Sequence, residues 1–243
     1  MPVRELSVFF PAFDEEANIE RTVQRALDVL RGLPLERFEV LVVDDGSTDA
    51  TPKIADVLAE QEPEVRAVHH AQNRGYGAAL RTGFDSARCD WTFFTDGDGQ
   101  FDMGELPLLL ERADRFDIVV GYRKRRADHL GRRINTFLWS TLVRTMLRVP
   151  VRDVDCAFKL LRRDALQRIG PLTSDGAVIS TELLAKARWA GIPITEVAVS
   201  HYPRLAGSPT GASPRVIIKA FRELVHLRAA VAHDERHHGE GTP

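Results

Sequence analysis

The sequence predicts an α/β fold: a mostly parallel central sheet flanked by helices. Three observations predict it. Apolar runs alternate with amphipathic helical patterns through the first half, the signature of βαβ units. The run "FEVLVVDDGS" is apolar without alternation, as a strand buried on both faces is. The chain is 243 residues long, with 44% hydrophobic and 28% charged residues, which suffices for one full-sized core.

The elements follow in order. "LSVFFPAF" reads as the first strand, and residues 18–30 as an amphipathic helix opened by acids. "FEVLVVDDGS" is the second strand. A helix over 49–59 follows, with Pro52 near its start and Ser47 to Asp49 as caps. "EVRAVHH" is the third strand, 77–87 the third helix and "WTFFTD" the fourth strand. A helix over 103–114 leads to a fifth strand, "FDIVVGYR". The second half is less regular. It holds an apolar helical pattern, "INTFLWSTLVRTML", then "VRDVDCAFKLLRRDAL", a helix over 181–191, a short strand "IPITEVAVSHY" and a last amphipathic helix over 214–232. The end, 233–243, lacks apolar periodicity and is expected to be disordered. The second half reads as an extension of the first, giving one domain over 1–232.

Composition excludes several classes. A net charge of −2 argues against nucleic acid as a partner. The cysteines, Cys89 and Cys156, are too few for a disulfide framework or a zinc site, and suit reduced thiols in a cytoplasm. The N-terminus meets acids directly after a short apolar run, which fits a strand and not a signal peptide. No run reaches about 18 apolar residues, so no transmembrane helix is expected.

Chemistry concentrates where strands end. "FFTDGDGQFD" sets Asp96, Asp98 and Asp102 beside Gln100 directly after an apolar run. One such cluster alone reads as turn chemistry. Here strand one ends in Phe13-Asp14-Glu15-Glu16 and strand two in Asp44-Asp45-Gly46-Ser47. In a parallel sheet these ends converge on the carboxyl edge, where ligands bind. Asp96, Asp98 and the amide of Gln100 offer hard oxygens to Mg2+ or Mn2+. Asp45 is placed to bond a base or ribose. Gly75 and Gly77, before the third helix, allow a phosphate to approach the backbone. Between residues 121 and 148 lie eight Lys or Arg and one acid, Asp128. That stretch suits an anionic acceptor or lipid headgroups, or a solvated face. The apolar helix beyond it reads equally as an interfacial, a core or a homodimer helix.

Together the stretches "FFPAFDEEANI", "VVDDGSTDAT", "NRGYGAAL", "TDGDGQ", "GYR", "RDVDCAFKLLRR" and "TELLAKARWAGIPITEVAVSHYPRLAGSPTG" resemble family 2 glycosyltransferases of GT-A fold. Within them the chain is similar to the dolichol-phosphate mannosyltransferase-like (polyprenyl-phosphate glycosyltransferase) group. The stretches come in the family's order and cover residues 6–211.

The resemblance implies a Rossmann-like GT-A domain, with 1–122 as the nucleotide-sugar half and 123–232 as an acceptor-side helical extension. It implies that Pro11, Phe13, Glu15, Val43 and Asp45 hold the nucleoside of a UDP- or GDP-sugar, with Arg74, Gly75, Asp96 and Gly97 completing the donor site. Asp96 and Asp98 are the family's DxD, and with Gln100 they carry Mg2+ or Mn2+. Asp98, Asp153, Arg123 and Arg204 form the catalytic set, the two arginines on donor or acceptor phosphate. Arg132, Arg133, Asp155 and Ser208 lie on the acceptor side. Ala157 stands where the family pattern has glycine, and Tyr76 where many relatives have lysine. The C-terminal transmembrane helices of many members are not seen. The chain is expected in the cytoplasm, at the inner face of the membrane if it contacts one.

The implied reaction is an inverting transfer through an oxocarbenium-like state. A polyprenyl phosphate acceptor, with its second pKa near ~6, needs no strong base. A hydroxyl acceptor would need one, with Asp153 or Asp155 the candidate. Two rivals stand beside this. "DGDG" after an apolar strand also looks like a haloacid-dehalogenase-type phosphatase, although Gln100 replaces the expected threonine. A nucleotide-binding protein without turnover would keep the fold and lose the chemistry.

Overall fold

The computed structural model describes residues 3–124, 149–176 and 178–204, together with positions 141, 143 and 145–147. The elements are β1 (Glu5–Ala12), α1 (Ile19–Arg31), β2 (Arg37–Asp44), α2 (Thr51–Gln61), β3 (Val65–His69), α3 (Tyr76–Ser86) and β4 (Trp91–Thr95). A 3-10 turn (Met103–Glu105) runs into α4 (Leu106–Leu110). Then come β5 (Ile118–Arg123), β6 (Phe158–Arg162), α5 (Arg163–Ile169), α6 (Ile179–Trp189) and β7 (Ile194–Val199).

The strands form one seven-stranded sheet of order β3-β2-β1-β4-β6-β5-β7. β1 pairs in parallel with β2 and β4, β2 with β3, and β5 with β7. Only β6 runs antiparallel, between β4 and β5. The first four strands match the sequence expectation. The insertion of β6 was not read from "CAFKLL", because a lysine interrupts its apolar run.

α1 shows why the helices form where they do. Ile19, Thr22, Val23, Ala26, Leu27 and Leu30 fall on one face, at the spacing of a 3.6-residue repeat, and all are buried. Under the carboxyl edge, Phe9 of β1, Phe94 of β4 and Phe84 of α3 form an aromatic triad with centroids 5.2–5.6 Å apart. Gly83 makes it fit, since a Cβ there would lie 2.4 Å from the Phe9 ring.

Two local expectations are corrected. The helix expected over 103–114 ends at Leu110. Beyond it, Arg112 and Ala113 donate to carbonyls three residues back, so the chain tightens into turns. Glu111, Arg112, Asp114 and Arg115 leave little apolar face to hold a helix there. Of the expected caps, Asp49 Oδ1 does accept from the Thr51 N–H at the start of α2 (2.9 Å), while Ser47 does not cap the helix. Ser47 Oγ accepts from the Asp14 N–H and Asp49 Oδ2 from the Glu16 N–H, lacing the loop after β2 to the loop after β1. The apolar helix expected over 134–147 is described only at positions 141, 143 and 145–147. These are helical, with Val143 and Leu147 in the core. The helix expected over 214–232 and the tail lie outside the described residues. Among the described residues, no helix is long and apolar enough to cross a membrane.

At the opposite end of the sheet, buried Glu39 accepts from Ser7 Oγ (2.7 Å), Arg66 Nη1 (2.7 Å) and the Arg88 N–H (2.6 Å). Burial alone would raise this carboxyl. The three hydrogen bonds outweigh it and hold the group below its ordinary value. A carboxylate depressed in the folded state contributes stability above its unfolded pKa of about 4.3, and loses it as pH falls through the folded value. Glu39→Gln should therefore cost about 1–3 kcal/mol at pH 7. It should also flatten the acid limb of a stability–pH curve from urea unfolding. An unchanged acid limb would refute this assignment.

Candidate active site

β1, β2 and β4 are adjacent and parallel, so the three acidic strand ends share one edge of the sheet. Their carboxylates divide into two groups. Asp14, at φ 53°, accepts from the Thr48 N–H (2.8 Å), and Glu16 from the Ala50 N–H (2.9 Å). Asp102 accepts from the Gly104 N–H (2.9 Å) and caps the 3-10 turn. These acids hold loops. Asp96 and Asp98 are the pair that stands apart from this lacing.

Asp96 and Asp98 stand on the turn directly after β4. The carbonyl of Gly97 between them accepts from Thr22 Oγ1 of α1 (3.1 Å), and Asp98 Oδ1 accepts from the Gln100 N–H (3.0 Å). Burial, and then the neighbouring charge of Asp98, push the Asp96 carboxyl up to about 7. The Tyr76 hydroxyl donates to Asp96 Oδ1 (3.0 Å). Asp98 and Asp155 also act on this hydroxyl electrostatically, after burial and Asp96, and its pKa is raised. Two closely spaced carboxylates, one raised by burial and then by the charge of the other, are a set that could hold a divalent cation. Among the described residues no group of three or more His, Cys, Asp or Glu could hold a metal; the oxygens that could do so at this turn are those of the two carboxylates and Gln100.

Arg123, at the end of β5, is held by Asp153 in a two-pronged ion pair. Nε lies 2.7 Å from Oδ2, and Nη2 lies 2.8 Å from Oδ1. Burial would lower the Arg123 pKa, but the bond to Asp153 outweighs it and raises it, so the guanidinium stays charged. Lys159 of β6 is 0% exposed, and its ammonium donates to the carbonyls of Val154 (3.1 Å) and Cys156. It thereby fixes the turn that carries Asp153 and Asp155. Sequence reasoning missed Lys159; a lone lysine in an apolar strand was the available signal.

A strap from the end of β7 crosses the site. His201 bridges to Phe101 and packs edge-on against its ring at 5.1 Å. Gln100 and Tyr202 exchange two hydrogen bonds of 2.9 Å, Tyr202 N to Gln100 O and Gln100 Nε2 to Tyr202 O. Arg204 reaches the end of β1 and pairs with Glu15. The strap thus pins one end of the Asp96–Gln100 turn and brings Glu15 and Arg204 together.

Asp45 is nearly fully buried, and its oxygens accept from the N–H groups of Arg74 (2.9 Å) and Gly75 (2.8 Å) and meet His70 Nδ1 (2.6 Å). It holds the turn before α3. Gly75 and Gly77, expected to let a phosphate approach the backbone, donate their N–H groups within the protein, Gly75 to Asp45 Oδ2. The Gly77 N–H donates to Asp175 O (2.8 Å), and a Cβ on Gly77 would lie 2.2 Å from Ser174 O. These glycines admit the loop before α6. The Val43 side chain is 0% exposed, and its strand neighbours are Pro11 and Val68. Pro11 and Gly97 are buried, Phe13 is partly exposed, and the Arg74 side chain is exposed. Phe13 lines a cavity of about 500 Å³ with Asp44, Ser47, Thr48, His69 and Asn73, beside the acid edge. Arg132, Arg133 and Ser208 lie outside the described residues.

Comparison with known proteins gives the family and the fold. Residues 7–170 match the family described as "Glycosyl transferase family 2". The chain is 36% identical over 208 residues to Glycosyltransferase AglD of Haloferax volcanii, covering 82% of this chain and 33% of that protein. It is 30% identical to the dodecaprenyl-phosphate galacturonate synthase of Rhizobium johnstonii (92% and 65% covered). It is 29% identical to the dolichyl-phosphate beta-glucosyltransferase of Dictyostelium discoideum (92% and 73% covered). The chain therefore spans about a third of the first of these relatives and about two thirds of the second. Its fold is that of glucosyl-3-phosphoglycerate synthase from Mycobacterium tuberculosis, solved with Mn2+, UDP and glucosyl-3-phosphoglycerate. The TM-score is 0.69 at 21% identity, covering 91% of this chain and 80% of that one. The phosphatase alternative falls with this match, and the chain belongs to glycosyl transferase family 2.

Proposed function

We propose that the protein transfers a sugar, with inversion, from a nucleoside-diphosphate sugar to a polyprenyl phosphate. Asp96, Asp98 and Gln100 would hold Mg2+ or Mn2+. The observation that carries the acceptor class is the Arg123–Asp153 pair, whose guanidinium acts electrostatically on Asp96. Asp153, one of the two candidate bases for a hydroxyl acceptor beside Asp155, is committed to Arg123. A phosphate acceptor needs no base, because it is largely ionised at neutral pH. It needs a fixed cation, and Arg123 is one. The relatives point the same way, since several are named as polyprenyl-phosphate sugar transferases.

Each residue then has a task. Phe13 and the neighbouring cavity receive the nucleoside, and Glu15 with Arg204 borders it. Asp96 and Asp98 present hard oxygens, held by Thr22, Tyr76 and the Gln100 N–H. When bound, the cation would act as a Lewis acid on the departing nucleoside diphosphate. Arg123 and Arg204 steady phosphate charge, and the acceptor oxygen attacks the sugar carbon from the face opposite the leaving group. We take 1–232 as one domain, with the donor half in 1–122 and the acceptor half beyond. A polyprenyl chain partitions into a bilayer, so the reaction belongs at a membrane surface, on the cytoplasmic side in this reading.

The test is direct. Purified protein is incubated with Mg2+ or Mn2+, a panel of UDP- and GDP-sugars, and a short polyprenyl phosphate. A metal-dependent lipid-linked sugar from one donor is expected. Release of nucleoside diphosphate only with a soluble hydroxyl acceptor would overturn the acceptor class. No turnover with any donor would overturn the reaction.

A further inference from the structure

The first residue of α3, Tyr76, has its phenol among three carboxylates of the acid edge. Its hydroxyl donates to Asp96 Oδ1 at 3.0 Å, with Asp98 and Asp155 close enough to act on it electrostatically. The opposite oxygen of Asp96 accepts no hydrogen bond among the described residues. A phenol bonded to one carboxylate oxygen fixes the orientation of the other. This is what a partner one step removed from a metal does for its ligand.

The backbone of Tyr76 is itself tightly held. Gly75 precedes it at φ 95°, a conformation open to glycine, and a Cβ there would lie 2.7 Å from Asp175 O. Gly77 follows it with its N–H on Asp175 O. Arg81, one turn along α3, reaches both Ser174 O and the Asp175 carboxylate. The loop that receives these groups is fixed in turn by Glu182 of α6. This buried carboxylate accepts from the N–H groups of Thr173 (3.0 Å) and Ser174 (2.8 Å) and pairs with Lys186 (2.8 Å). A continuous chain of contacts thus runs from α6, through the 173–175 loop and the α3 N-terminus, to Asp96.

We infer that Tyr76 is a positioning residue of the cation site: its hydroxyl aims Asp96, and the 173–175 loop seats Tyr76. The inference rests on the reading that Asp96 and Asp98 hold a divalent cation. It adds that the acceptor-side half of the chain sets the geometry of that site.

The experiment titrates Mn2+ into wild-type protein and Tyr76→Phe, with and without UDP or GDP, following free Mn2+ by electron paramagnetic resonance. Thermal unfolding is recorded in parallel. Tyr76→Phe removes only the hydroxyl. It should weaken Mn2+ binding about 10-fold or more, with the unfolding midpoint unchanged. In turnover assays the metal concentration for half-maximal rate should rise by the same factor, and saturating metal should restore kcat. Gly77→Ala keeps the hydroxyl but forces the α3 N-terminus off Ser174 O, and should also weaken Mn2+ binding. Equal Mn2+ affinity in wild type and Tyr76→Phe overturns the role of the hydroxyl. Equal affinity in a folded Gly77→Ala overturns the role of the loop. A wild-type protein that binds no Mn2+, with or without nucleotide, overturns the cation reading and this inference together.

Discussion

Asp98→Ala is expected to lower sugar transfer by about 10³-fold or more, while the thermal midpoint stays close to that of the wild type. The size follows from the chemistry. A Lewis acid on the leaving group is worth several kcal/mol of barrier, and each ~1.4 kcal/mol is a factor of ten in rate. The fold should survive because Asp98 is partly exposed and sits on the turn after β4, outside the strand itself. Removing it also removes the neighbouring charge on Asp96, whose carboxyl should relax from about 7 toward its ordinary range. Asp102→Ala is the control. Asp102 caps the 3-10 turn, so its loss should cost about 1 kcal/mol of stability and leave transfer intact. Near-normal turnover in Asp98→Ala would remove the cation from the mechanism.

Asp153→Asn is expected to combine a large stability loss with a loss of transfer. Arg123 and Asp153 are largely shielded from water, with side-chain exposures of 12% and 5%. Breaking such a pair from one side leaves a shielded charge without its partner, which costs about 3–5 kcal/mol. Urea unfolding reads this directly. Replacing both members with apolar residues, Arg123→Met with Asp153→Leu, should recover much of the stability, because desolvation is removed along with attraction. It should recover none of the activity. That split separates the structural role of the pair from the role of the guanidinium. If Asp153→Asn unfolds within about 0.5 kcal/mol of wild type, the pair is not the anchor described here.

Much of the donor half was legible in the sequence, because its rules are local. A non-alternating apolar run forms a strand buried on both faces, and short crossovers make the strands parallel. Strand ends in a parallel sheet then share an edge, so the acidic clusters had to meet. The individual carboxylates were not legible. Asp14, Glu16, Asp45, Asp96 and Asp98 are alike in sequence, all acids at strand ends. The first three are consumed by backbone N–H groups from other loops, and only the folded chain decides which.

By itself the sequence determined the α/β class, the order of the first strands and the edge on which chemistry gathers. Hydrophobic periodicity and strand direction are properties of short stretches. Tertiary structure alone decided that β6 enters antiparallel, that Lys159 is buried beneath the Asp153 turn, and that Gly75 and Gly77 receive a loop from the other half of the chain. It also decided that Tyr76 meets Asp96. Apart from Lys159, whose carbonyl partners are three and five residues away, these join residues far apart in the chain, and they depend on which buried groups find partners once the sheet has closed.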